Sequence, residues 1–145
     1  MSACTAAPLS AELGEIPYVK DKEPTFTPAS WLYIGADIDT LAAGVDDLGS
    51  VPVSQRLAQV DRNSDLVVSV YYDACSKDAP ALDLHGTTLS VRFVTLDRNC
   101  VRAEDTLALF SVRRSSLPDP LEYTVCGRTV TLSGDQVSGE SAGAC

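Results

Sequence analysis

Cysteine is the residue type in this chain whose number and spacing could support covalent or metal chemistry. The 145-residue sequence contains five: Cys4, Cys75, Cys100, Cys126 and Cys145. The chain has no C-x-x-C pair and one histidine, so the four later cysteines suit two disulfides better than a metal site. Disulfides persist in oxidising compartments, and the pattern therefore predicts an extracytoplasmic protein.

Nucleophilic catalysis is suggested by one short motif and by the histidine. Residues 139–143, GESAG, match the G-x-S-x-G nucleophile elbow of the α/β-hydrolases. That elbow requires a strand before it, a helix after it and a later histidine, whereas His85 precedes this motif. Gly86 beside His85 predicts a turn between two strands. We therefore expect no catalytic residue in either segment and predict a protein that is not an enzyme.

Carboxylate pairs are the other groups that could bind an ion. Asp37 with Asp39 and Asp46 with Asp47 could donate oxygens to calcium, but neither pair follows the EF-hand loop pattern. Helix capping and a solvated helix face explain both pairs, so we predict no metal and no cofactor.

Two groups of residues are the candidate ligand-binding positions. Tyr71, Tyr72 and Asp73 close an apolar run, where aromatic hydroxyls at a sheet edge could bind a ligand instead of only packing in the core. Arg113 and Arg114 could bind a carboxylate or a phosphate, or be solvated at a strand end.

Charge excludes one class of partner. The net charge of −9 and the pI near 4.4 would repel phosphate backbones, so we predict no nucleic-acid binding. Acidic residues crowd the first half of the chain and six arginines follow residue 90. This division predicts either two solvated faces or a dipolar docking surface.

The elements that would position these residues are mostly strands. Apolar residues at helical spacing predict an amphipathic helix over 38–48 and a shorter helix over 52–60. Strands are predicted at 31–34, at 66–72 as a central strand, at 89–93, at 106–112, and as a hairpin over 123–132. The predicted fold is α+β or mainly β, an antiparallel sheet or β-sandwich with one N-terminal amphipathic helix.

The chain divides into one domain with two flexible ends. We predict a flexible, proline-containing N-terminal tether over 1–29, a single domain over 30–132, and a flexible tail rich in Gly, Ser and Ala over 133–145. In an up-and-down sheet, the loop holding Cys100 and the bend holding Cys126 lie at the same end. We therefore predict a Cys100–Cys126 disulfide, which leaves Cys75 either to bond with Cys145 or to stay unbonded, while a Greek-key order would favour Cys75–Cys100.

The N-terminal residues and the overall pattern carry two resemblances. Ser2-Ala3-Cys4 resembles the end of a bacterial lipobox, which implies a lipid anchor on Cys4; the alternative is an ordinary frayed terminus with a free or packed cysteine. A Trp-containing strand, a helix and a β-rich half with disulfides resemble small secreted or lipid-anchored β-sandwich domains of actinobacterial cell envelopes.

The resemblance implies an accessory or binding role outside the cytoplasm. The predicted protein is a non-catalytic module, a lipoprotein subunit that docks on another envelope protein or complex and is held at the membrane through Cys4. Two alternatives stay open: a hydrolase or other enzyme with an unrecognised site, and a structural, surface or phage component.

Overall fold

The computed structural model describes residues 8–21 and 31–139, and within these ranges the chain forms two α-helices and nine strands, with short 3-10 helices at Val19–Asp21 and Arg114–Ser116. The helices are α1 (Asp37–Asp47) and α2 (Val51–Ala58). The strands are β1 (Ser10–Ile16), β2 (Leu32–Tyr33), β3 (Asp65–Asp73), β4 (Lys77–His85), β5 (Thr88–Thr95), β6 (Asp105–Arg113), β7 (Leu121–Val125), β8 (Arg128–Ser133) and β9 (Gln136–Gly139). The predicted mainly β, α+β class is confirmed.

The strands form two sheets that pack as a sandwich. The first sheet has the order β1-β6-β3-β2, and the second has the order β4-β5-β7-β8-β9. Apolar side chains from both sheets share one core, which Trp31 and Tyr123 join as an edge-to-face pair with ring centroids 6.2 Å apart. The buried Tyr123 hydroxyl donates to the Ser69 carbonyl oxygen at 3.1 Å, so the two sheets are also joined by a hydrogen bond.

The central strands of the first sheet are covered on both faces. Val68 and Val70 of β3 face the second sheet, while Val67 and Tyr71 face the helices. This double burial confirms the central strand predicted at 66–72, because a strand covered on each side needs an apolar run rather than an alternating one.

Both helices form a third layer on the outer face of the first sheet. Ile38, Leu41 and Val45 of α1 are buried there beside Val53 and Leu57 of α2, as the helical spacing predicted. The helices predicted over 38–48 and 52–60 are both present as α1 and α2; the single N-terminal helix named in the predicted fold class is not confirmed as such, because β1 and β2 precede two helices in the chain.

The flexible ends were predicted too long. Residues 10–16, assigned to the tether, form β1 beside β6, with Leu13 and Ile16 buried. The prolines at 8 and 17 exclude a continuous helix but leave room for a seven-residue edge strand between them. At the other end, residues 136–139 of the predicted tail pair with β8 as β9. Residues 1–7 and 22–29 of the predicted tether, residue 30, and residues 140–145 of the predicted tail lie outside the described residues.

The predicted all-antiparallel order is also wrong at one pair. β5 and β7 are parallel, because the chain leaves β5, crosses to the first sheet as β6, and returns to the second sheet. The intervening strand provides the long crossover that parallel neighbours require. β4, which pairs with β5 in a hairpin, was not predicted at all.

The missed strand β4 accounts for the wrong disulfide pairing. With β4 and β5 between them, the loops holding Cys75 and Cys100 lie at the same end of the sandwich, and the two sulfurs form a disulfide with a Cα–Cα distance of 6.0 Å. The predicted Cys100–Cys126 bond is therefore wrong, as is Cys75–Cys145, and the rival pairing is observed. Cys126 is itself a disulfide cysteine, and its partner is neither Cys75 nor Cys100.

Candidate functional site

The two groups of predicted binding residues lie at opposite ends of the first sheet. In the antiparallel pairing of β3 with β6, Asp65 lies opposite Arg113 and Asp73 lies opposite Asp105. Eight residue steps at about 3.3 Å each separate the two ends by roughly 26 Å. The structure therefore does not bring the tyrosines and the arginines into one site.

Tyr71, Tyr72 and Asp73 all have structural roles. Tyr71 is buried against the helix layer, and the Tyr72 hydroxyl donates to the Glu15 carboxylate at 3.0 Å. Burial and this carboxylate raise the pKa of Tyr72 above its ordinary value. The Asp73 carboxylate accepts from the backbone N–H groups of Cys75 and Glu104, at 3.0 and 2.9 Å. The three side chains thus fix the strand end instead of presenting it to a ligand.

Arg114 joins the two sheets at the other end. Its guanidinium donates to the Asp135 carboxylate at 3.0 Å and to the Gly134 carbonyl oxygen at 2.8 Å. The Gly134 N–H donates in turn to Asp119 at 3.0 Å, so the β8–β9 turn is held from both sides. Arg113, one residue earlier, is exposed and lines a shallow surface cleft.

Two adjoining clefts share Arg114. The smaller, about 160 Å³, is lined by three leucines and by Pro118, Asp119 and Gly134, and the larger, about 520 Å³, is lined by Ile34–Asp37, Arg62 and Asn63. The smaller volume is below the 300 to 1,000 Å³ usual for small-molecule pockets. The arginines lining the larger cleft bind Asp39 and Asp135, so their charge is already neutralised within the protein.

The candidate catalytic and ion-binding residues do not assemble either. His85 is exposed at the end of β4, beside the turn that Gly86 predicted, and residues 140–143 of the GESAG motif lie outside the described residues. Asp39 accepts from Arg62 at 2.8 Å. Among residues 8–21 and 31–139, no three acidic, histidine or cysteine side chains lie close enough to hold a metal ion.

Ion pairs place arginines of the second half of the chain beside acidic residues that precede them in the sequence. Arg102 pairs with Asp21, 81 residues earlier, while Arg92 pairs with Asp83 at 3.2 Å on the outer face of the second sheet. Exposed pairs of this kind contribute about 0 to 1 kcal/mol each to stability. At these positions, acid and arginine adjoin each other in space, so the sequence division does not become a dipole there.

The loop between β5 and β6, residues 96–104, here called the crossover loop, is not among the predicted binding residues. It connects β5 of the second sheet to β6 of the first sheet, and hydrogen bonds and a disulfide fix it at several points along its length. The Leu96 N–H donates to the Ser76 carbonyl oxygen at 2.9 Å, Cys100 is bonded to Cys75, and the Glu104 carbonyl oxygen accepts from Ala74 at 3.0 Å. The Val101 side chain, one residue after the disulfide, is fully exposed, at 102% of its reference area.

The crossover loop has the features of a binding loop on a rigid scaffold. Loops fixed by a rigid framework commonly carry binding residues, because the conformational entropy of the loop is lost when the protein folds and not when it binds. A sequence signal existed in the isolated valine of Asn-Cys-Val-Arg, which has no apolar neighbour to pack with. Val101 is exposed because the disulfide and the backbone hydrogen bonds fix the loop in this conformation. These contacts join residues far apart in the sequence, so the local hydrophobic pattern does not predict them.

Comparison of the chain with protein-family models, with curated proteins and with solved structures finds no match. The Cys75–Cys100 disulfide is compatible with an extracytoplasmic location. Neither helix in the described part of the chain has the length and apolar character needed to cross a membrane. Cys4 and Cys145 lie outside the described residues.

Proposed function

We propose that this protein is an extracytoplasmic binding module that docks on another protein of the cell envelope through the crossover loop. The observation that supports this proposal is the fully exposed Val101 on a loop held by a disulfide and by backbone hydrogen bonds. A preorganised loop loses little conformational entropy when it binds, so a small contact can yield useful affinity.

The sheet edges favour a loop as the contact rather than an added strand. β4, an outer strand of the second sheet, contains Pro80 and a register irregularity between Asp78 and Ala81. β2, an outer strand of the first sheet, has two residues, and β1 at the opposite edge is interrupted at Gly14. Proline, bulges and short strands hinder pairing with another chain.

The residues beside Val101 indicate the chemistry of the partner. Arg98 and Arg102 flank it in a protein of net charge −9, and Arg102 is paired with Asp21. A complementary surface would have a small apolar pocket for the valine and a carboxylate near Arg98. Acylation of Cys4 would hold the module at the membrane surface and raise its effective concentration near such a partner.

The direct test is site-specific crosslinking in the native envelope. A photo-reactive amino acid at position 101 should give one dominant crosslinked protein, whereas the same residue at position 51 should not. Val51, 49% exposed at the start of α2, is the matched control. Co-purification from native membranes should then be lost in Val101→Glu and kept in Val51→Glu. Equal crosslinking at both positions, or a protein that always elutes alone, would refute docking through this loop.

The lipid anchor is tested separately from docking. Mass spectrometry of the protein extracted from its own membranes should find acyl modification on the peptide that contains Cys4. An unmodified Cys4 in membrane-extracted protein would remove the anchor from the proposal and leave the docking loop to its own test.

A further inference from the structure

The crossover loop alone is too small to form a stable protein interface. A standard interface buries about 800 Å² on each partner, or roughly 20 residues or more, whereas the loop consists of residues 96–104. Tyrosine, tryptophan and arginine contribute most of the binding energy in such interfaces, and valine seldom does. Docking through Val101 therefore requires a second contact on the surface beside the loop.

Tyr18, in the turn that follows β1, has the exposure expected of such a contact. Among residues 8–21 and 31–139, four large apolar side chains are exposed, and Tyr18, at 44%, is the aromatic one. The next residue, Val19, is fully buried in the core beneath the helices. The turn is thus anchored in the core while the ring of Tyr18 is accessible to a partner.

The backbone of Tyr18 is strained. Its φ of 54° lies in the left-handed region, which bulky residues rarely adopt. The buried Val19 side chain and a hydrogen bond from the Asp21 N–H to the Tyr18 carbonyl oxygen, at 3.0 Å, fix the turn in this conformation. Glycine or asparagine would adopt the same φ more readily, so the turn itself does not require a tyrosine. Strained positions of this kind are concentrated at binding and active sites.

An ion pair joins this turn to the crossover loop. The guanidinium of Arg102, the residue after Val101, binds the carboxylate of Asp21, which ends the turn that Tyr18 begins. The Cα atoms at the two ends of such a turn are less than about 7 Å apart, and those of adjacent residues are about 3.8 Å apart. Extended arginine and aspartate side chains in contact add about 10 Å between their Cα atoms. Tyr18 and Val101 therefore lie within about 21 Å of each other, less than the roughly 30 Å width of a standard interface.

We propose that Tyr18 and Val101 are the two anchor residues of one docking surface, linked by the Arg102–Asp21 pair, and that the partner is a protein with two apolar pockets beside an acidic patch. This inference rests on the proposed docking through the crossover loop. Arg98 and Arg102 are both exposed here, in a protein of net charge −9, so carboxylates of the partner complement this surface. The ring of Tyr18 fills the larger pocket and contributes more affinity than the valine does.

Crosslinking from positions 18 and 101 tests the shared surface on the full chain in its native envelope. A photo-reactive amino acid at either position should capture the same protein, and the same amino acid at position 51, where the exposed Val51 is the control, should not. Capture from position 101 without position 18 would overturn this inference and leave docking through the loop intact. Capture from neither position, or from position 18 alone, would overturn both.

Substitution of Tyr18 separates binding from folding, with the protein captured from position 101, once purified, as the probe. Tyr18→Asn introduces a residue that tolerates positive φ, so Tm should not decrease. The affinity for the captured protein should decrease by about 10-fold or more, because an aromatic anchor is lost, whereas Val51→Asn should change it by less than about 2-fold. Tyr18→Phe, which keeps the ring, should retain binding. An unchanged affinity in Tyr18→Asn would refute the role of the ring.

The acidic patch of the partner is tested by Arg98→Glu, with Arg92→Glu as the control. Arg92 is also exposed, but it pairs with Asp83 on the outer face of the second sheet. Arg98→Glu should weaken binding by about 10-fold or more, because it places like charges opposite each other, and Arg92→Glu should weaken it by less than about 2-fold. Equal losses in the two variants would overturn the acidic chemistry assigned to the partner.

Discussion

The Cys75–Cys100 disulfide is expected to be a major source of stability, because it closes 25 residues of chain between two crossings of the sandwich. In the chain-entropy account, a loop of that length removes about 12 cal/mol/K from the unfolded state, or about 3.5 kcal/mol at 25 °C. The entropy of unfolding of a 145-residue chain is about 0.3 kcal/mol/K. Loss of the disulfide, at about 3.5 kcal/mol, should therefore lower Tm by about 11 °C.

The variant that measures this is Cys75→Ala/Cys100→Ala, since reduction would also open the bond at Cys126. Guanidinium unfolding can be followed by the fluorescence of Trp31, the chain's single tryptophan, which is buried in the sandwich core. The m-value should increase, because an unfolded chain without this crosslink is more expanded. Ser76→Ala, in the same turn, should change the free energy of unfolding by less than about 0.5 kcal/mol. A loss below about 1 kcal/mol in the double variant would refute the reasoning.

Three further substitutions test the packing around the sheets, each by guanidinium unfolding. Tyr123→Phe should cost about 1 kcal/mol by removing a buried hydrogen bond. Burial raises the pKa of Tyr123 well above 10, so its contribution is intact below pH 10 and decreases as pH rises further; the phenylalanine variant should lose stability less steeply there. Gly14→Ala should lower the free energy of unfolding by about 1 kcal/mol more than Gly35→Ala does. A Cβ at Gly14 would lie 2.7 Å from a methyl group of Val53, whereas a Cβ at Gly35 would meet no atom within 4 Å; equal losses in the two variants would contradict this. Arg62→Ala should cost about 1 to 2 kcal/mol, since its guanidinium binds two carbonyls at the end of α2, while Arg92→Ala, with an exposed pair, should cost under about 0.5; the reverse ranking would contradict this.

Regular, strongly patterned elements were predictable from the sequence. The helix over 38–48, the central strand over 66–72 and the hairpin around Cys126-Gly127 each bury a face at the spacing that the sequence shows. The patterns differ because the surroundings differ: the helix and the hairpin each bury one face, whereas the central strand is covered on both faces. The second helix is also present, with a proline in its first turn as predicted.

β4 could not be read in the same way. Its sequence, KDAPALDLH, contains a proline and three charged residues, and Ala79 has a φ of 48°, so the strand is interrupted where it lies at the sheet edge. An edge strand needs ladder bonds on one side alone and tolerates such residues. Its existence depends on pairing with β5, a tertiary contact that local propensity does not encode.

One unrecognised strand was enough to change the predicted site. Without β4, the chain direction places Cys75 and Cys100 at opposite ends of the sandwich, so the sequence pattern predicts neither their disulfide nor the anchoring of the crossover loop. The binding residues are predicted from their chemical type alone. In the structure, Tyr72 donates a hydrogen bond to Glu15, Asp73 accepts from two backbone N–H groups, and Arg114 binds Asp135 in the β8–β9 turn.

The crossing of β6 between sheets links stability to the proposed function. The chain leaves β5, enters the first sheet as β6 and returns to the second sheet as β7 beside β5. The two connections that it makes between the sheets are not held by strand-to-strand hydrogen bonds. The first of these is the crossover loop, and its conformation therefore depends on the bond to Cys75 and on the contacts of Leu96 and Glu104. If docking uses Val101, then Cys75→Ala/Cys100→Ala should weaken binding even at temperatures where the domain is folded, because the loop would lose its preorganisation. Crosslinking from position 101 that persists unchanged in that folded variant would separate the two roles and show that the disulfide serves stability alone.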